Sequence, residues 1–341
     1  AAPDHGRRMP PTFDQAFRDA RAEAAAIVGH DRLHDLHRRS FGRHAWVALR
    51  QLLLLALAVV LIVRYQDIPW VWIPAAVLLG FVVFSFTVLL HEVVHGLVFA
   101  RPRAVASRAL ALLYAIPSGL SASQFRRWHL DHHKWLGTGG EDPKRRYLSP
   151  QRLRRWFKAL YFTPALFPIY FRAARRAAER YPEALRRRIR RERLLATLFH
   201  VAVPVAIGLT VGWTLVWKLY VVPVFLVFPI AFSINRLGQH YDVVADDPAR
   251  WGTIMRPSPF LWDPLFLWSN YHMEHHTFPG VPCYRLPALR RTLQPFYAAH
   301  GAPSRTYLGL LRDWFLHNRA PHTDWTGTSH AHEGSEARSH A

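Results

Sequence analysis

Four long apolar stretches, Ala45–Val63, Pro69–Leu90, Leu194–Trp217 and Leu219–Asn235, constrain this chain more than any other feature. A helix needs about 20 apolar residues to cross a hydrocarbon core of roughly 30 Å. Backbone exposed to lipid must satisfy its own hydrogen bonds, so the stretches are expected to be helices. Arg50 and Gln51 near the start of the first can snorkel toward water. The fourth is short and starts close behind the third, with Lys218 as the expected interfacial turn between them.

Charge orients these spans. Half of the chain is hydrophobic, yet its formal net charge is +21. Lys and Arg crowd the loop from Arg101 to Arg193 and the segment before the first span, while the connections Arg64–Ile68 and Lys218 carry one basic residue each. The positive-inside rule then places both termini and the large loop in the cytoplasm. Basic charge also suits nucleic acid, but no recognition motif accompanies it. A cytoplasmic face resting on anionic lipid, or docking an acidic electron-transfer protein, accounts for it. Arg far outnumbers Lys, which points to a bacterial source rich in G and C and so to the inner membrane.

Within the large loop, Ala104–Leu120 and Ala159–Phe171 are apolar but short, and are expected to lie at the interface or re-enter. Arg172–Arg193 is expected to form a basic helix on the membrane surface. The tail from Ala320 is polar and is expected to be disordered. No secretory signal is expected, because residues 1–43 lack an apolar core segment. Cys283 is the only cysteine, which excludes an internal disulfide and any cysteine-built zinc or iron–sulfur site.

Histidines mark the ends of the spans. The second stretch runs into HEVVH, with His91 and His95 one helical turn apart. HLDHH supplies His129, His132 and His133, and HMEHH supplies His272, His275 and His276. Spacings of three and four put each set on one helical face. His240 follows the fourth span in RLGQHYD. If every stretch crosses as expected, all nine emerge on one side of the membrane. One metal takes about four to six ligands, so nine imidazoles suggest two metals, and imidazole alone does not choose among iron, zinc, copper and nickel. Glu92, Asp131, Asp242 and Glu274 stand beside the histidines as candidate acceptors for their second ring N–H. His200 lies deep in the third span and is expected to pack or bond between helices. His30, His34 and His37 read as a polar face beside the membrane, and His322, His330, His332 and His340 as solvated.

As a set, HEVVH, HLDHH and HMEHH in this order, between and after four spans, resemble the membrane fatty acid desaturase and hydroxylase superfamily. The likeness covers about Ala45 to Leu289. NYHMEHHTFPGVP is similar to bacterial fatty acid desaturase-like proteins, and FRRWHLDHHKWLG to the second histidine box of sphingolipid desaturases. The resemblance implies a di-iron centre that uses O2 and two external electrons to attack an unactivated C–H bond. His240 then matches an isolated extra ligand after the fourth span. Acyl-CoA desaturases of the family place an asparagine one turn before that histidine to hold a water on iron; here Arg236 stands there, preceded by Asn235, so that water is in doubt. Asn270, just before the third box, is the other asparagine beside the site. Without a His-Pro-Gly-Gly motif or further cysteines, a fused cytochrome b5 or rubredoxin is not expected. Electrons would come from a separate protein of ferredoxin, rubredoxin or cytochrome b5 type.

These readings give an all-α integral membrane protein of four transmembrane helices, with a cytoplasmic helical cap carrying a histidine-rich di-metal site. Residues 1–43 form a cytoplasmic segment, 44–300 the membrane domain, and 301–341 a C-terminal segment ending in the tail. The expected activity is O2-dependent desaturation of a fatty acyl chain or related lipid. Hydroxylation or ketolation of a lipid, carotenoid or alkane is the alternative within the superfamily. A membrane metal transporter or sensor is the alternative outside it.

Overall fold

The computed structural model describes residues 11–136, 142–150, 152–241 and 251–319. Asp242 and the four tail histidines lie outside them. Helices α1 (Pro11–Val28) and α2 (His30–Leu36) precede α3 (Phe41–Arg64) and α4 (Pro69–Val94). Then come α5 (Ala104–Ala115), α6 (Ala122–Trp135), a π-helix at Lys144–Leu148, α7 (Arg155–Ala159), α8 (Leu166–Ala178) and α9 (Glu183–Thr210). The last stretch begins with α10 (Trp213–Val216), widens into a π-helix at Trp217–Val227 and continues as α11 (Phe228–Leu237). Short helices α12 (Trp262–Leu265), α13 (His272–Thr277), α14 (Leu286–Thr292), α15 (Gln294–Ala299) and α16 (Tyr307–Phe315) complete the described chain. No strand occurs among the described residues beyond an isolated bridge between Met255 and Arg305.

Phe41–Arg64, Pro69–Val94, Glu183–Thr210 and Trp213–Leu237 are long and apolar enough to cross a membrane. The Ser40 hydroxyl accepts the Arg43 N–H and caps α3, and Pro69 opens α4 where its missing N–H costs nothing. Helix α4 is the central span, packed against α3, α5 and the π-helix at Trp217–Val227. Gly80 makes that last contact close. A Cβ there would lie 2.8 Å from the Pro223 carbonyl oxygen. Helix α9 is the most open to lipid, with Leu194, Leu198 and Val201 exposed.

Two boundaries differ from those expected. The turn between the last two spans is at Val211–Gly212, not at Lys218. Gly212 has φ 103°, a conformation that glycine adopts without steric cost. Lys218 sits inside the following helix, where its Nζ donates to the Gln66 carbonyl at 2.6 Å and lies over the Trp72 ring, closing the α3–α4 connection. The basic run Arg172–Arg193 is not one surface helix. It breaks at Tyr181–Pro182, and its second half continues without interruption into the third span. His200 bonds between helices as expected, its ring nitrogens meeting the Tyr220 hydroxyl at 2.8 Å and the Ile116 carbonyl at 3.1 Å.

At one end of the bundle, α1 and α2 pack against the third-box region. Ala24, Val28 and Leu36 join Phe278, Leu289 and Phe296 in one buried cluster. Helix α16 closes the other flank, placing Tyr307, Leu310 and Trp314 in the main core. Glu192 of α9 accepts the Ser121 hydroxyl and the Ser123 hydroxyl and N–H at 2.6–2.8 Å, which fixes the start of α6 to the third span.

Candidate metal centre

Four segments carry the nine histidines. His91 lies in the last turn of α4, and His95 follows as its cap. Helix α6 carries His129, His132 and His133, and α13 carries His272, His275 and His276. His240 stands just past α11. The C-terminal ends of α4 and α11 and the start of α9 lie on the same side of the bundle, so the topology brings all four segments to one end.

There the rings form two groups. His91, His95, His129, His133 and His275 make the first, and His132, His240, His272 and His276 the second. The ligand atoms in each group lie within 4.8 Å of one another. The second and third boxes are both divided between the groups. On α6 the i, i+4 pair faces one group and the intervening His132 faces the other. The stacked rings of His133 and His276, 4.2 Å apart, join the two groups.

The donor set fits metal ions. Every one of the nine presents Nε2 inward. Neighbouring Nε2 atoms are 2.7–3.1 Å apart in the first group and 2.9–3.1 Å in the second. His132 donates its Nδ1–H to Asp142 Oδ2 at 2.8 Å, and His240 donates its Nδ1–H to the Trp251 carbonyl at 3.0 Å. Both Nε2 atoms therefore carry lone pairs, yet they face each other at 2.9 Å. A cation between such lone pairs removes the repulsion. Imidazole ligands at ~2.1 Å with right-angle neighbours stand about 3.0 Å apart, the spacing of a five- or six-coordinate ion.

Electrostatics keeps the rings in the ligand form. Burial holds His129, His132, His133, His272, His275 and His276 well below the usual histidine range, and their close packing adds mutual repulsion. Neutral imidazole is the form that binds metal.

Of the three candidate acceptors among the described residues, only Glu92 stays beside a ring. Its Oε1 lies 3.6 Å from His91 Nδ1, while Oε2 accepts the Cys283 N–H at 2.9 Å. Asp131 pairs with Arg127 at 2.7 Å instead, one turn away on the open face of α6. Glu274 pairs with Arg290 at 3.2 Å in a buried contact behind α13. Asp142, which does accept from His132, carried no signal in the sequence. It lies beyond the end of α6, outside any helical spacing. His37 packs edge-on against Phe278 beside the third box and bonds the Leu33 carbonyl.

The chain ahead of the third box is strained. Leu267 and Trp268 have φ 46° and 59°, left-handed values that cost a non-glycine residue on the order of 1–3 kcal/mol. Asp263 holds this turn by accepting from Asn270 Nδ2 at 2.8 Å and the Tyr271 hydroxyl at 2.7 Å. Asn270 is thereby turned to a supporting role. Asn235 instead reaches the site's edge, donating to Ser269 Oγ at 2.8 Å and accepting from Gln239 at 2.9 Å.

Beside the histidines opens a largely apolar cavity. Phe84, Val88, Leu120, Phe125, Trp128 and Phe232 supply its apolar wall, and His91, His129, His272 and His275 face it. An apolar slot alongside a metal-binding cluster can position an alkyl chain that offers no polar handle at its reacting carbon.

A family profile described as Fatty acid desaturase matches residues 68–308. Human sphingolipid delta(4)-desaturase/C4-monooxygenase DES2 is 28% identical over 278 residues, 80% of each chain. The chicken sphingolipid delta(4)-desaturase DES1 is 26% identical over 301 residues, 83% of each chain. The Drosophila melanogaster DES1 is 25% identical over 255 residues, 74% of this chain and 75% of its own.

Proposed function

The chain belongs to the fatty acid desaturase family, and from that premise we propose that it is a di-iron oxidoreductase that desaturates an acyl chain of a membrane lipid. Its relatives and its four apolar helices make it a multi-pass membrane enzyme of lipid oxidation. The observation that carries the finer reading is the convergence of two imidazole groups on one apolar cavity.

In this reading His91, His95, His129, His133 and His275 hold one iron, and His132, His240, His272 and His276 the other. Bound iron would supply the O2-dependent oxidation for which no side chain is equipped. One –CH2–CH2– unit, one O2, two electrons and two protons give one –CH=CH– unit and two waters. The residues do the rest. Phe84, Val88 and Phe232 hold the alkyl chain and exclude water from the reacting carbon. Asp142 and the Trp251 carbonyl fix the tautomers of His132 and His240. The electrons come from a separate ferredoxin, rubredoxin or cytochrome b5 type protein. Its docking face is the basic surface on the histidine side; the charge asymmetry supports a cytoplasmic position for that side, and the excess of Arg over Lys supports a bacterial inner membrane.

Sphingolipids are the lipid class that the relatives' names suggest. The name of the human relative couples desaturation with C4-monooxygenation, so a hydroxylated product is the second reading. A transporter is disfavoured, since its ligands belong near the bilayer midplane and all nine histidines sit at one end of the bundle. Expression with an electron donor, followed by mass spectrometry of cellular lipids, tests the proposal. The expected product has lost two hydrogens, a hydroxylated one has gained an oxygen, and His275→Ala abolishes either. A product that persists undiminished in His275→Ala overturns the assignment of that site.

A further inference from the structure

The cavity is not apolar throughout. Lys144, from the π-helix beyond the second box, and Arg236, from the last turn of α11, both face it. Neither side chain makes a hydrogen bond to a described residue; Arg236 lies 5.8 Å from the Phe232 ring centre. Asp142 attracts both cations, yet its oxygens are already engaged, Oδ2 by His132 and Oδ1 by the Lys144 backbone N–H at 2.9 Å. Glu92, the other carboxylate at hand, is turned to Cys283. Two cations thus face the cavity against two carboxylates, Asp142 and Glu92, already committed to other groups, beside neutral imidazoles that would hold metal cations. Cations left unpaired in an apolar wall are costly.

The opposite end of the space is different. A second pocket shares Leu120, Tyr170 and Phe232 with the first and continues past Phe167 and Phe228. The combined space is therefore amphipathic, with its cationic part beside the histidines and its apolar part leading away.

We propose that this cavity receives a lipid whose polar end is an anion, a carboxylate or a phosphate, held by Lys144 and Arg236, with its alkyl tail in the pocket lined by Phe167 and Phe228. The reacting carbons then lie only a few bonds from the head, because the head-binding cations and the histidines border the same cavity. This rests on the oxidoreductase reading above and adds the charge of the substrate head to it.

Binding to the purified, metal-loaded full chain in detergent tests the inference without turnover, with palmitate, hexadecyl phosphate and hexadecanol as probes. At least one anion is expected to bind about tenfold or more tightly than the alcohol, as charge-assisted bonds to two cations require. Whichever anion wins identifies carboxylate or phosphate. Lys144→Met and Arg236→Gln are each expected to remove about tenfold from anion binding, to leave hexadecanol binding and metal content unchanged, and to be rescued by Lys144→Arg and Arg236→Lys respectively. Equal binding of alcohol and both anions by the unsubstituted protein overturns the proposal, and needs no variant to be folded. An anion preference that survives in both neutralising variants overturns it as well, and assigns the two cations to Asp142 alone. An enzyme that oxidises lipid but ignores head charge defeats this inference only. A chain that binds no iron and makes no oxygen-dependent product defeats the functional reading instead.

Discussion

The His132 imidazole gives its Nδ1–H to Asp142 Oδ2 at 2.8 Å, and both residues are almost fully buried. This bond leaves only Nε2 for a metal and aims it at the second group. Asp142 is therefore a positioning residue. Asp142→Ala is expected to weaken metal retention or activity about ten- to a hundredfold. Metal remaining after dialysis against graded chelator measures it, and the sequence of loss separates positioning from general damage. The second-group ion should leave first while the protein keeps its helical circular dichroism. Retention equal to that of the unsubstituted chain would remove Asp142 from the site.

The division of boxes two and three between the groups makes a second prediction. His129 and His133 belong to one imidazole group, while His132, on the same helix, belongs to the other. His272→Ala or His276→Ala should lower iron from about two per chain to about one, and His91→Ala or His95→Ala should do the same by emptying the other position. Iron analysis with Mössbauer or electron paramagnetic resonance spectra would read this. Loss of the coupled pair should leave an isolated iron of distinct spectrum for each class of variant. Identical residual spectra from both classes would refute the partition.

Gly80 carries the packing that holds α4 in place. The position that a Cβ would take at Gly80 faces Val227 and Pro223, in the wide turn of the π-helix, and an added methyl would press on the Val227 side chain and on the Pro223 carbonyl oxygen at 2.8 Å. Backbone cannot move aside as a flexible side chain can. Gly80→Ala is expected to cost about 1–3 kcal/mol, the usual range for overpacking. Because His91 and His95 ride on the same helix, metal content should fall in step with the unfolding midpoint in detergent. Unchanged stability would show that the two helices can separate at no cost.

What could be read in advance was what short-range order encodes. The spans declare themselves through runs of apolar residues, and the three boxes through spacings of three and four on a helix, so the convergence of nine imidazoles followed from topology. The turn at Gly212 was local too, but apolar neighbours on both sides hid it, and Lys218 drew attention as the only charge nearby. Asp142 and Lys144 could not be found this way. They lie beyond the end of α6, and the residues they stand near, His132 and Arg236, are close to them only in space. The same reason explains why Asp131 and Glu274 misled. Adjacency in sequence put them beside ligands, but a helix turns neighbouring residues about 100° apart.

Acid should release this fold, and the direction follows from the buried rings. In the unfolded chain each imidazole takes a proton near pH 6.5. In the folded protein burial and neighbouring cations lower His129, His132, His133, His272, His275 and His276 well below that range. Below about pH 6.5 the unfolded state therefore binds more protons than the native one, and stability falls as pH drops. Asp142 opposes this, since burial raises its carboxyl to about 6. Its contribution is full below about pH 4 and lost as pH rises through 6, and the Glu274 carboxyl, also raised by burial, shares its sign, but six rings stand against these carboxyls. Lys144, lowered to about 7 by burial, shares the sign of the histidines but acts in the alkaline window, losing stability as pH falls from about 10 toward 7. Bound metal reinforces the acid effect, because protons compete for the same Nε2 lone pairs. Thermal unfolding of chelator-stripped protein should show a lower midpoint at pH 5.5 than at pH 7.5, with a larger drop for the metal-loaded form as the ions leave. A midpoint that is level or rises on acidification would mean that the six rings already carry protons in the native state, which is incompatible with their serving as ligands.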